Sequence, residues 1–132
     1  VSKTEKDLKI ILEHMATRIL GYIASAVVDL ETGLSVSQIC ADPEIDCDAI
    51  SVYLASIVNS HIRSSKAIPG IRDISDISLT TDKNYFVIRI LPEQQVFIYV
   101  MTEMKGRLES KRSIMEKYGN VIIKTLKKSE IT

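Results

Sequence analysis

The residues in this chain able to do chemistry are two histidines, two cysteines, a run of carboxylates and a run of bases, and their spacing decides what each can do. His14 and His61 fall in helical surroundings with no HExxH, and the serine-rich segments hold no GxSxG, so neither a zinc hydrolase nor an elbow-type nucleophile is built. The same absence disfavours a Ser-His-Asp triad, and both histidines read as packed or solvated helix residues. Zinc needs about four ligands at recognisable spacing, and Cys40, Cys47, His14 and His61 offer no CxxC and no HxxxH. Gly21, Gly33, Gly70, Gly106 and Gly119 are too dispersed for GxGxxG or GxxxxGK[ST]. The chain is therefore expected not to be an enzyme, with no catalytic, cofactor-binding or metal-binding residue.

Residues 29–48 contain Asp29, Glu31, Asp42, Glu44, Asp46 and Asp48 and no Lys or Arg. They lack the alternation and terminal Glu of a calcium-binding EF-hand loop, which favours helix-capping acids on a solvated connection. Residues 105–128 are the opposite, with Lys105, Arg107, Lys111, Arg112, Lys117, Lys124, Lys127 and Lys128 against Glu109 and Glu116. One aromatic, Tyr118, accompanies them, which does not support base stacking; a basic helix face open to solvent or to an acidic partner is expected, not a nucleic-acid site. Two cysteines in a chain of this size do not form a stapling framework, and free thiols are favoured over a disulfide.

The elements that position these residues follow from length and periodicity. At 132 residues, 45% of them apolar, with 17 bases balancing 17 acids, one domain spanning 1–132 is expected, with a single core. Apolar runs of six or seven residues fall far short of the roughly 20 needed to cross a bilayer, so no membrane insertion is expected. The charged start does not read as an export signal, and with few cysteines this points to the cytoplasm.

Thr4 with Asp7 three residues on outlines a capping box, and Leu8, Ile11, Leu12, Met15 and Ile19 give a first helix near 4–19, ended by Gly21. Residues 22–29 and 34–39 form a hairpin around Gly33, and Asp46 or Asp48 caps a second helix running to about 66, stopped by Pro69 and Gly70. Strands at 71–81, 85–91 and 96–102 make a meander, and a last helix begins near 102 and reaches at least Tyr118, with Gly119 an end or kink. Strands 22–28 and 96–101 are apolar on both faces, so helices must cover both sides of the sheet. Arg72, Asp73, Ser75, Asp76 and Ser78 mark 71–81 as an edge strand.

On a helical wheel of the second helix, Ile50, Leu54, Ile57, Val58 and His61 form the face expected to pack on the sheet. Ala49, Tyr53, Ser56 and Ser60 fall on one flank, and Val52, Asn59 and Arg63 opposite the core. Small residues at three- or four-residue spacing admit a second helix closely, so this surface reads as an interaction face.

This order, with ILGYIASAVVDLETGLSVSQ as the first hairpin, TTDKNYFVIRILPEQQVFIYVMTE as the last two strands and MKGRLESKRSIMEKY entering the last helix, resembles the roadblock/dynein light-chain family over nearly the whole chain. The resemblance implies an α+β fold, longin- or profilin-like, in the order α-β-β-α-β-β-β-α, with a five-stranded antiparallel sheet covered by helices on both faces. It implies a non-catalytic homodimer formed through the second helix and third strand, with Ala49, Tyr53, Ser56, Ser60, Ile74, Asp76 and Ser78 at the dimer interface. It also implies that the dimer binds and regulates a small Ras-like GTPase or scaffolds a signalling or motility complex, and the helical wheel offers Val52, Asn59 and Arg63 as the partner-binding residues. The acidic connection after the first hairpin and the basic last helix depart from the common pattern. The alternative is a small-ligand sensor of profilin-like architecture, which needs a cavity between sheet and helix where bulky Ile, Val and Phe read as a filled core.

Overall fold

The structure, a computed structural model, describes residues 2–71 and 74–131, with Glu130 and Ile131 described by their backbone alone; Arg72 and Asp73 of the expected edge strand lie outside the described residues. The elements are α1 (Lys3–Ala16), β1 (Tyr22–Asp29), β2 (Ser35–Cys40), α2 (Cys47–Lys66), β3 (Asp76–Thr80), β4 (Asn84–Leu91), β5 (Val96–Glu103) and α3 (Leu108–Ile131), with a 3-10 turn, Pro92–Gln94, before β5. The five strands form one antiparallel sheet in the order β2-β1-β5-β4-β3, so the two strands apolar on both faces, β1 and β5, pair at its centre.

Alternation in β5 divides the core in two. Val96, Ile98 and Val100 face α1 and α3, where Leu8, Leu12, Met15, Met115 and Ile122 join them. Phe97, Tyr99 and Met101 face α2 and pack with Ala24, Ala26, Leu54 and Val58. Burying each large apolar side chain contributes about 2 kcal/mol, so both layers are needed to hold the central strands.

Several boundaries differ from the sequence expectation. The first helix is capped by Ser2, whose hydroxyl accepts from Glu5 N–H at 3.1 Å, and the hydroxyl of Thr4 donates to Ser129 Oγ at 2.8 Å instead of capping. The helix ends at Ala16, and Ile19 is buried in the turn beyond it. Residues 102 and 103 remain in β5, because Glu103 pairs with Asn84 and its N–H bonds Gly21 O at 2.8 Å; α3 starts only at Leu108, after Gly106 turns the chain at φ +74°. Gly119 does not end α3, which runs on to Ile131; it faces Arg89 and Leu91 of β4 and Ile98 of β5, and a side chain there would make ordinary contact with them at 3.6–3.7 Å.

Lys111 leaves the expected basic face. It is 2% exposed, on the same side of α3 as Met115, Tyr118 and Ile122. Its ammonium donates to Leu20 O at 3.0 Å and to Lys105 O, and stands 6.0 Å from the centre of the Tyr85 ring. Burial pushes its pKa below the usual lysine range.

The cysteines also depart from expectation: Cys40 and Cys47 form a disulfide with their Cα atoms 6.2 Å apart. The acidic connection folds back on itself, with Ile45 N–H on Asp42 O at 3.1 Å and Glu44 N–H on Asp42 Oδ1 at 2.9 Å, which returns the chain to the end of β2. Spacing alone does not reveal that return.

Candidate interaction surface

Asp46, not Asp48, opens α2, accepting from Ala49 N–H at 3.0 Å. The helix buries Cys47, Ser51, Leu54, Ala55 and Val58. Ile50 and Ile57 are only half-buried and His61 is exposed, so the buried face is rotated relative to the expected one. Small residues let this rotation happen: Ala24 and Ala26 of β1 lie beneath α2, and the Ser51 hydroxyl is satisfied by Cys47 O and Ser35 Oγ, both at 3.0 Å.

The rotation points Ala49, Ser56 and Ser60 directly away from the sheet, flanked by Tyr53 on one side and by Val52 and Arg63 on the other. Val52 is 53% exposed and Tyr53 60%. From residue 49 to 66 the helix carries no carboxylate. An outward face of small residues between two exposed apolar side chains, without mixed charge, suits close approach of another helix. Asn59 does not share the outward position of Val52 and Arg63. It is half-buried, and its Nδ2 donates to Leu30 O at 2.8 Å.

Sequence reasoning missed Leu34, an exposed apolar residue at the start of the hairpin's second arm. It follows Gly33, which is buried against Val52 and Ala55 and holds φ +75°. The positive φ is what demands glycine here, because a side chain would fit against Val52 and Ala55 at 3.6 Å but would strain the left-handed backbone of the turn.

At the other border of the same apolar layer lies β3, an edge of the sheet. Ile77 and Leu79 pack toward α2's core, as does Ile74, which precedes the strand. Asp76 turns the other way, its carboxylate 3.8 Å from Arg89 and 3.9 Å from Arg112, which ties the edge strand to β4 and α3. Ser78 is exposed. The second edge, β2, is crossed by α1, where the Ser37 hydroxyl donates to Glu5 O at 3.3 Å.

Between α2 and the sheet, Leu54, Val58, Phe97 and Tyr99 are fully buried, leaving the centre of that layer filled. Burial pushes the Tyr99 phenol up to about 12, and its hydroxyl lies 3.5 Å from Cys47 O. Among the described residues, no group of three or more His, Cys, Asp or Glu is placed to hold a metal ion, and no helix is long and apolar enough to cross a membrane.

No protein family and no curated protein matches the chain by sequence. Solved structures do match. MglB of Myxococcus xanthus superimposes with a TM-score of 0.81 at 16% identity, covering 92% of this chain and 96% of that one. The gliding protein MglB of Thermus thermophilus gives 0.82 at 10% identity, covering 97% and 94%. A Roadblock/LC7 domain from Streptomyces avermitilis gives 0.75 at 10% identity, covering 94% and 98%. These likenesses show a shared fold over almost the whole length of each chain.

Proposed function

We propose, proceeding from the roadblock/LC7 fold of this chain, that it is a non-catalytic interaction module that self-associates through α2 and β3 and regulates a small Ras-like GTPase. The observation that carries the reading is the outward face of α2, with Ala49, Ser56 and Ser60 between exposed Val52 and Tyr53. In a two-fold dimer, Ala49, Tyr53, Ser56 and Ser60 meet their copies, and Ile74, Asp76 and Ser78 lie along paired β3 edges, so both unpartnered features are covered at once. Val52 and Arg63 from both subunits then border a composite platform, with Asn59 at its margin. One platform per dimer suits one GTPase. Such a partner puts the protein in the cytoplasm, and the gliding-protein name of the Thermus neighbour is consistent with a motility complex.

Arg63 sits in the last turns of a 20-residue helix, not on a loop able to reach into a partner's site. The regulation it supports is positional: the platform holds the GTPase's own mobile segments in their competent arrangement, which shifts a population without contributing a catalytic group. The test is co-purification with GTPases from the native extract, followed by hydrolysis assays on the recovered partner. Val52→Asp is expected to abolish binding, and Arg63→Ala to weaken it while leaving stimulated hydrolysis at saturating protein. Intact binding with stimulation lost in Arg63→Ala would replace this mechanism with a catalytic arginine, and no effect of Val52→Asp would displace the platform from α2.

A further inference from the structure

The Cys40–Cys47 disulfide joins the end of an edge strand to the first turn of α2, the turn that leads directly into Ala49, Val52 and Tyr53. Around it, Cys47 O accepts from Ser51 Oγ at 3.0 Å and Tyr99 OH at 3.5 Å, while Ser51 Oγ meets Ser35 Oγ of β2 at 3.0 Å. The connection between the two cysteines is also closed by its own bonds, through Asp42 to Glu44 and Ile45 and through Asp46 to Ala49. Opening the disulfide therefore leaves the chain path in place and removes one restraint on the start of α2.

The two sulfurs are not equivalent. Cys47 is 3% exposed, whereas Cys40 is half-buried and the more accessible to an attacking thiolate. Cys47 is the first residue of α2, where unpaired N–H groups favour negative charge, which makes it the better leaving group. Exposed Asp42, Glu44 and Asp48 nearby disfavour anionic reagents, so a dithiol of low charge fits the site better than an acidic monothiol.

We propose that Cys40–Cys47 is a reversible redox staple that sets how firmly the first turn of α2 is held, and through it the strength of the α2 interaction surface. This rests on the function proposed above, because a GTPase partner implies a compartment in which disulfides are transient and regulatory. A thiolate of the dithiol reductant attacks Cys40 Sγ, the protein S–S bond breaks, and Cys47 leaves as a thiolate that takes a proton from solvent. The reductant's second thiol then attacks its own sulfur in the mixed disulfide and releases Cys40, which is protonated in turn. The protein gains two electrons and two protons, and the reductant becomes a disulfide.

The experiment uses the full chain, air-oxidised, treated with dithiothreitol without denaturant, and then reoxidised with hydroxyethyl disulfide, an uncharged oxidant. Alkylation and intact mass count thiols, hydrogen exchange reads amides 48–53, and sedimentation gives the dimer dissociation constant. Reduction is expected to speed exchange at 48–53 and to weaken the dimer, each by about tenfold and reversibly. The double variant Cys40→Ser, Cys47→Ser is expected to match the reduced protein and ignore dithiothreitol. A disulfide that resists dithiothreitol until the protein unfolds, or exchange unchanged by reduction, overturns the staple. If Ser56→Arg separates the subunits while reduction changes neither exchange nor dimer, the staple fails and the α2 interface stands. If exchange responds reversibly while Ser56→Arg leaves the dimer intact, the staple stands as a device on α2 and the interface reading fails.

Discussion

Asn59 and Leu30 are joined by a 2.8 Å hydrogen bond from the Asn59 amide to the Leu30 carbonyl, and the Leu30 N–H in turn donates to Gln95 O at 3.0 Å. One backbone unit thus ties α2, the β1-β2 turn and the turn before β5 together. The Gln95 backbone is left-handed, at φ 58°, which aims its carbonyl at Leu30. Asn59→Ala leaves the Leu30 carbonyl half-buried without its side-chain donor, and is expected to cost about 1–2 kcal/mol in urea unfolding. Partner binding is expected to fall less than with Val52→Asp, because the asparagine's donor is spent inward.

Ser56 lies at the centre of the outward face of α2, where a long charged side chain has no room in a close helix pair. Ser56→Arg is expected to yield a folded monomer, with unchanged far-ultraviolet circular dichroism and half the mass by light scattering. A dimer of undiminished affinity would place the interface elsewhere.

Lys111 bridges three segments: α3, the turn before β1 through Leu20 O, and the turn after β5 through Lys105 O. Lys111→Met keeps the length and the apolar stem but removes two charge-assisted bonds. It is expected to destabilise the fold by about 2 kcal/mol, checked by denaturant midpoint at constant slope.

Tyr99 makes the alkaline limb of stability steep. Its phenol ionises at about 12 when folded against 10.0 in the open chain, so its contribution is complete below pH 10 and is lost as pH rises from 10 to 12. A two-unit difference corresponds to roughly 2–3 kcal/mol across that window. Tyr99→Phe is expected to flatten this loss in unfolding measured between pH 9 and about 12, the upper end being the folded-state value. Lys111, lowered by burial and so acting oppositely below 10.5, is common to both proteins and cancels in the comparison, whereas Tyr22, raised by burial, interacts electrostatically with Tyr99, so the double variant Tyr22→Phe, Tyr99→Phe completes the cycle.

The order of elements along the chain, the placement of helices on both faces and the edge character of β3 were legible because period-two and near-period-four patterns report which faces are buried; the pairing of β1 with β5 was not. Residues whose burial depends on a neighbour were not. Ser51 is buried because Ser35 and a backbone carbonyl satisfy it, and the alanines of β1 leave room for it, none of which hydrophobicity ranks; hence the rotated face of α2 and the exposed His61. The disulfide depends on where β2 ends relative to α2, a distance set by the folded acidic connection. Lys111 did leave a signal, since the spacing 108, 111, 115, 118 and 122 puts it on the apolar side of α3; its charge argued for the surface, and two backbone carbonyls decided otherwise.

The central pairing of the sheet joins β1 to β5, Tyr22 opposite Thr102 and Asp29 opposite Val96. A chain emerging amino end first must therefore present α1, β1, β2, α2, β3 and β4 before the second partner of β1 has been made. Through that interval β1 has only β2 beside it, with Val27 and Val28 open along the other edge. Long-range pairing of this kind slows folding and leaves a sticky intermediate. Synthesis rate across residues 30–96, and any chaperone able to shield an unfinished sheet, should therefore govern the yield of folded protein more than the strength of the finished core.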